Sequence, residues 1–562
     1  MSDALTVKLT NGLSVDSSTH KKFLNHWYID VSVIVLSFVL IFLSYVAIKP
    51  YYSIQGVQNG VVAKIYGGLL LLGLAIYFVS QWLTKKLTFP KIVVCLMLLA
   101  FIIHLTYMLY TPYNTRQHDM NYDSDNGHYA YAITFYETWA LPTKNITPDT
   151  VYQFYHPPFN AFLQGAFMHL FENVVHLDSL TSTEVMLYGS NQILSCFYMA
   201  VSVYYLVKTI LLSKLSDRGQ LLAIAFVALF PRLVQLSGQL NNDALSVMFS
   251  VIALYVFCKW YFLGKTFPRI LLTGLFVGLS LFAKMSASII CLGMAVCFAI
   301  ELVKSIRKKE GSLPVWKLVI QYVLFLLVCA PIGLWFQVYS HNVYGLPYNF
   351  VFKNLNSALF TGVRSWVVTN QGESALSYYD TNNSGLVYTS VGVNILVRYV
   401  FPFFPADFLM GGYYCNAFDN YNLLSYALRS SIFGEFDYWN ADGVAVTSII
   451  LIYLAWLQFV VFLIYSLIHR LKLGKDGACA LYYFFGIVAL FIYLQIKMPY
   501  GCSMDFRYIV PIILPIGYLL GKENDLLDVP QATRFMRFMK NANRLTVSLF
   551  LASTTIFYFF AI

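Results

Sequence analysis

The chain has 562 residues, 58% of them apolar and 11% charged, with a formal net charge of +10. Soluble globular chains carry roughly 25% charged residues, so this composition excludes a soluble enzyme and points to an integral membrane protein. The positive balance does not indicate nucleic acid, because the basic residues fall in short loops between apolar runs rather than on one patch.

Apolar runs of bilayer-crossing length recur along the chain. They predict an all-α integral membrane fold of about 13 transmembrane helices, over 27–48, 61–83, 91–111, 184–212, 220–237, 241–260, 268–283, 286–303, 318–340, 446–468, 478–496, 508–521 and 545–562. The stretch before the first run is polar, and that run is long enough to remain as an anchor, so no cleavable signal peptide is expected. Lys21/Lys22, Lys85/Lys86/Lys91, Lys214/Arg218, Lys304/Arg307/Lys308/Lys309, Arg470/Lys472/Lys475 and Arg534/Arg537/Lys540/Arg544 then all fall on one side, which the excess of bases assigns to the cytoplasm.

The organisation that follows has five parts. Residues 1–111 form a cytoplasmic tail and three spans, 112–183 a first large outer segment, and 184–340 the transmembrane core. Residues 341–445 form an aromatic-rich outer cap, and 446–562 the last spans, with a cytoplasmic basic loop near 521–544. The nine cysteines have no metal-ligand spacing. Cys95, Cys196, Cys258, Cys291, Cys297 and Cys329 lie in apolar runs as packing residues, whereas Cys415 and Cys502 fall outside and either pair or stay free.

The outer segment holds the most polar stretch, "RQHDMNYDSDNGHYAYAITFYETWALP" (Arg116 to Pro142). Its second half predicts an amphipathic helix with Ser124 or Asp125 as cap and Tyr129, Ile133 and Tyr136 along one face. "YHPPF" at Tyr155–Phe159 then makes a rigid turn into an apolar run better read as an interfacial helix than a span. Taken singly, these features have plain structural readings: an aromatic belt, a Pro-initiated helix, a solvated loop.

Their order carries more. The acidic outer loop is followed by "YHPPF", by "NNDALS" at Asn241–Ser246, by "LFAKMSA" at Leu281–Ala287 and by "FRYIVPIILPIGYLLG" near the end. This series resembles the GT-C superfamily of polytopic glycosyltransferases, including protein O-mannosyltransferases and lipid A aminoarabinose transferases, over roughly residues 100–520. The resemblance implies a polyprenyl-phosphate-linked sugar donor and transfer to an acceptor hydroxyl on the outer or lumenal face, with inversion. An Asp at the start of the first outer loop would be the general base. Asp119 stands at that place, and Asp123 and Asp125 in "DMNYDSD" are its rivals.

A lipid-phosphate leaving group calls for cations. Arg507, which the resemblance also places at the phosphate, Lys284, Arg232 and His156 are the candidates for it, His156 alternatively serving the acceptor. Lys284 and Asp243 also have bland readings, as a snorkelling lysine and a helix-capping aspartate. His118, His128, Tyr155, Asp243, Glu435 and Tyr508 are the candidates for sugar or acceptor binding. No cofactor or metal is expected, although the Asp–His cluster has ligand types suited to Mg²⁺ or Mn²⁺. The partners implied are the donor, membrane lipid, and a glycan, lipid-linked glycan or protein acceptor.

The reading places the chain in a bacterial plasma membrane with an outward site and a cytoplasmic N-terminus, or in an endoplasmic-reticulum membrane with a lumenal site if eukaryotic. A transporter or flippase of lipid-linked saccharides would carry ionisable residues midway through its spans, and these are few here. A polymerase of lipid-linked repeat units shares the architecture and stays as a further alternative.

Overall fold

The computed structural model describes residues 27–54, 60–117, 127–142, 152–175, 183–309, 312–348, 423–434, 442–497 and 504–561. Among them there is no β-strand, and the expected all-α architecture is met. Ten helices are long and apolar enough to cross a membrane, so the count of thirteen is not confirmed. Three runs fall short of that standard: 267–283 is a shorter apolar helix, 513–527 is 15 residues long, and 534–556 begins with a basic stretch.

In chain order the first helices are α1 (Trp27–Ile54), α2 (Val61–Leu83) and α3 (Phe89–Tyr110). The pair α4 (His128–Thr138) and α5 (Phe159–Val175) follows, then α6 (Thr183–Gly189), α7 (Asn191–Leu211), α8 (Asp217–Ala228) and α9 (Pro231–Leu236). The centre continues with α10 (Asp243–Cys258), α11 (Phe267–Ala283), α12 (Cys291–Ile306) and α13 (Val315–Tyr344). The last are α14 (Leu423–Phe433), α15 (Asp442–Ile468), α16 (Gly474–Lys497), α17 (Ile513–Leu527) and α18 (Arg534–Ile556).

Helices α7, α8 and α10 form the buried centre, and α1 and α2 lie at the periphery with few fully buried residues. Without a hydrophobic force between helices in lipid, close packing needs small residues. On α11, Gly274 and Gly278 meet the backbone of α13 at Phe325 and Cys329 so closely that any Cβ would have to displace it.

The basic loops gather at one end of the bundle. There the Lys214 N–H donates to Asp476 (3.3 Å), Arg218 pairs with Asp528 (3.4 Å) and Lys475 approaches Glu301 (3.8 Å). The stretch expected as a basic loop near 521–544 is largely helical. α17 continues to Leu527, and α18 starts at Arg534, capped by Thr533 Oγ1 accepting from the Met536 N–H at 3.2 Å. Lys540 and Arg544 reach Asp528 and Asn524 on the preceding element, so charged residues ride on a helix that a hydropathy reading starts too late.

Polar groups of the core are satisfied across helices at the opposite end. Lys49 of α1, fully buried, donates to the carbonyls of Met108 (3.1 Å), Leu109 (3.3 Å) and Thr111 (2.7 Å) and to Gln192 Oε1 (3.1 Å). These carbonyls are the ones that the end of α3 leaves without intrahelical partners, and a cation suits the negative end of a helix. The cysteines in the described residues are free thiols; Cys415 and Cys502 lie outside the described residues.

Candidate active site

The first residues of the polar outer stretch are tied to the turn between α9 and α10. Gln117 donates to Gly238 O (2.8 Å) and accepts from the Leu240 N–H (2.8 Å). Gln192 donates to Thr111 O (3.2 Å) and Gly238 O (2.9 Å), and Gln239 donates to Arg116 O (3.3 Å). Side-chain amides thus satisfy backbone that has left regular structure, as buried peptide groups require.

That turn leads directly into α10. Asn241 Oδ1 accepts the N–H of Asp243 at 3.1 Å, and Asp243 is the first residue of α10, one place after the N-cap Asn242. A carboxylate there interacts well with the helix dipole. Its more specific contacts are with cations. Asp243 Oδ1 accepts from Lys284 Nζ at 2.6 Å, and Oδ2 lies 3.9 Å from Arg507 Nε.

Lys284 is presented by a break between helices. The residue is extended (φ −160, ψ 129) between the end of α11 and a 3₁₀ turn over Met285–Ile290, so the chain cannot carry its side chain along either helix face. Arg507 sits in the 3₁₀ turn Phe506–Tyr508, capped by Asp505, whose Oδ1 accepts from the Arg507 N–H at 2.7 Å. Both cations meet the Tyr508 ring, Lys284 Nζ at 5.0 Å and Arg507 Cζ at 5.2 Å from its centre. Lys284, Asp243 and Arg507 are all buried.

Arg232 occupies a neighbouring position with a different set of partners. It is wholly buried, and its Nη2 donates to Asp505 Oδ1 at 2.7 Å, while its Nη1 engages Gln235. Gln235 in turn donates to Phe433 O (2.7 Å), and Ser430 Oγ accepts from the Phe506 N–H (2.9 Å). One carboxylate, Asp505, therefore fixes both Arg232 and the backbone of Arg507, and α14 is fastened to the same hub. Gly434, at φ +64, closes α14 against Arg232 and Gln235, where a Cβ would collide with both. Sequence reading missed Asp505, although its place two residues before Arg507 is a capping signal, and it missed Arg429, a buried arginine inside the apolar "YALRSSIF".

The Pro-Pro turn brings His156 to this cluster. Phe159 stacks on Phe282, with centroids 4.6 Å apart and planes within 2°, and lies 6.1 Å from Phe249 of α10. That docks the start of α5 against α10 and α11. His156 stacks with His128 (5.4 Å) and abuts Tyr155 (4.2 Å). Enclosure by protein, and then the neighbouring His128, Lys284 and Arg507, hold His156 well below the usual histidine range, so it is neutral.

Helix α4 differs in phase from expectation. Its N-cap is Gly127, and its buried face is His128, Tyr131, Ala132 and Phe135, whereas Tyr129, Ile133 and Tyr136 are half-buried beside it. The packing partners decide this: Phe135 lies against Phe162 of α5 at 5.8 Å, and Tyr131 against Phe154 of the 3₁₀ turn Tyr152–Tyr155 at 5.0 Å.

Of the sequence-predicted site residues, the fold brings together His128, Tyr155, His156, Asp243, Lys284, Arg507 and Tyr508, with Arg232 one ion pair away. His118, Asp119, Asp123, Asp125, Ser124 and Glu435 lie outside the described residues. Among the described residues no three His, Cys, Asp or Glu side chains are grouped as a metal ion would need.

Residues 155–335 match the family model of the dolichyl-phosphate-mannose-protein mannosyltransferases. A comparison with curated proteins gives no match. Among solved structures the chain is similar to the archaeal oligosaccharyltransferase AglB from Archaeoglobus fulgidus in complex with an inhibitory peptide and a dolichol-phosphate. The identity there is 12% and the TM-score 0.43, covering 84% of this chain and 56% of that one. The apo form of the Archaeoglobus fulgidus enzyme gives 15% identity and the same TM-score, over 82% and 56%. The chain thus spans a little over half the length of these enzymes. The matched segment 155–335 takes in His156, Arg232, Asp243 and Lys284.

Proposed function

We propose that the protein is a membrane glycosyltransferase that moves a sugar from a polyprenyl-phosphate donor to an acceptor hydroxyl at the end of the bundle away from the basic loops. By the distribution of bases this end faces the cell exterior or an organelle lumen. The observation that carries the reading is the buried triad of Lys284 and Arg507 on the single carboxylate of Asp243. Two cationic donors thus converge on one place inside the bundle, an arrangement that suits the phosphate of a lipid-linked donor. A phosphodiester accepts from both donors, with neutral His156 beside them.

In the transfer, the acceptor oxygen attacks C1 of the sugar and the C1–O bond to phosphate breaks, its electron pair passing to the phosphate oxygen. The leaving group gains a negative charge, which Lys284 and Arg507 are placed to stabilise more in the transition state than in the ground state. Attack from the face opposite the phosphate inverts the anomeric carbon. A carboxylate takes the hydroxyl proton. Asp119 is the first choice for that base, because Gln117, two residues earlier, is fastened to the turn that begins α10; Asp123 and Asp125 follow. The chemistry of these side chains needs no metal. The acceptor is a glycan, a lipid-linked glycan or a protein.

The test compares envelope and secreted glycans by mass spectrometry in null cells and in cells with wild type, Lys284→Ala or Asp119→Asn at matched abundance. Loss of one sugar in the null and in both variants supports the reading. A null that loses the sugar while Lys284→Ala retains it would sink the phosphate site, and retention in Asp119→Asn alone would move the base to Asp123 or Asp125.

A further inference from the structure

The opposite, basic end of the bundle holds a second feature that sugar transfer leaves unused. A cleft of about 540 Å³, counting its open mouth, lies between α7, α10, α16 and α17. Its walls are mostly hydrocarbon and ring faces, among them Ile210, Leu254, Phe262, Ala480, Leu514 and Pro515, and of its polar members Ser213 and Asp476 sit at the ends of α7 and α16. Apolar clefts between helices with a few polar groups at one side have the chemical character of ligand sites. Ser213 Oγ is buried there without a hydrogen-bond partner among the described residues.

The mouth is cationic. Lys475 Nζ stands 4.2 Å over the Tyr261 ring and 5.6 Å from the ring of Phe262, a wall of the cleft. Its side chain is 43% exposed. Lys214 is exposed beside Asp476, to which its backbone N–H donates. Lys265 and Lys304 share Glu301 with Lys475, at 2.8, 2.9 and 3.8 Å. Lys475, Lys214, Lys265 and Lys304 thus stand near three carboxylates, Glu301, Asp476 and Asp525, a surplus of one positive charge beside an apolar opening.

We propose that this cleft binds one anionic phospholipid of the leaflet at the basic end. An acyl chain lies between α7, α10, α16 and α17, Ser213 donates to an oxygen of the glycerol-phosphate region, and the headgroup rests on Lys475 and Lys214. A basic pocket between transmembrane helices on the cytoplasmic side suits such headgroups. A free phosphate would leave the apolar walls uncovered. The sugar donor's phosphate belongs at Lys284 and Arg507, at the other end of the same helices.

The full-length protein, reconstituted in nanodiscs of equimolar phosphatidylglycerol and phosphatidylethanolamine, is extracted and its retained lipid read by native mass spectrometry, with a third arm containing polyprenyl phosphate. Wild type is expected to retain one phosphatidylglycerol in about thirtyfold preference, as two surface lysines supply. Lys214→Ala with Lys475→Ala brings that preference to near unity, while Lys214→Arg with Lys475→Arg keeps it. Ala480→Trp, which fills the cleft, lowers retention of both phospholipids with the melting temperature as a folding control. Equal retention of the two phospholipids by wild type, an unchanged preference in the double alanine variant, or displacement of phosphatidylglycerol by polyprenyl phosphate would overturn the assignment.

Discussion

The two ends of the bundle handle charge in opposite ways. At the site end the pairs Arg232–Asp505 and Lys284–Asp243 have side chains between 0% and 6% exposed. At the basic end Arg218 and Asp528 are 45% and 35% exposed, and even the buried Glu301 is shared by lysines that are 12% to 43% exposed. Exposed pairs contribute little, because water and salt screen them. Buried pairs cost much to desolvate and repay it only with good geometry. Keeping two such pairs side by side, where apolar residues would pack as well, marks the site end as organised for charge rather than for stability.

The largest expected effect breaks that organisation. Asp505→Ala leaves Arg232 buried without its carboxylate and should lower stability by about 3–5 kcal/mol, read as a fall in the thermal midpoint in detergent. Arg232→Met combined with Asp505→Asn should recover most of the loss, since the pair is removed together and the amide still accepts from the Arg507 N–H. Next comes Lys284→Ala. It should lower the transfer rate about 10²–10³-fold, as loss of one oxyanion-stabilising donor does, measured as product per folded enzyme.

Gly434→Ala should cost about 1–3 kcal/mol, because φ is +64 and the new methyl meets Arg232 and Gln235; tryptic sensitivity near α14 would report it. The pH response is gentler. His156 has its pKa depressed in the folded protein, so the unfolded chain takes up the proton first. Stability is full above about pH 6.5, the unfolded value, and declines as pH falls through the lower folded one, by at most ~1.4 kcal/mol per pH unit for this one proton. His156→Gln should flatten that slope. The smallest effect is Arg218→Ala at the exposed end, within about 1 kcal/mol. A larger loss there would erase the contrast between the two ends.

The sequence makes the spans and the cations legible for a simple reason: a long apolar run or a charge inside one has few explanations. What it conceals is partnership. Lys284 and Asp243 are 41 residues apart and Arg232 and Asp505 are 273 apart, and no local pattern announces either pair. The phase of α4 was hidden likewise. Tyr129, Ile133 and Tyr136 make as good a helical stripe as Tyr131 and Phe135, and only the surface of α5 and of the 3₁₀ turn before it chooses between them. The start of α18 escaped because Arg534, Arg537 and Lys540 lower the hydropathy of a helix whose cap, Thr533, is a single residue.

The clasp of Lys49 carries a consequence for biogenesis. Its ammonium enters the bilayer early in synthesis, before any of its acceptors exist. The carbonyls of α3 are made about 60 residues later, and Gln192 lies 143 residues downstream. An amine at that depth without partners is expensive. The outer part of α1 is therefore expected to stay at the membrane surface, or against the insertion machinery, until α3 and α7 have been delivered. One lysine thus makes the first helix among the last to reach its final depth.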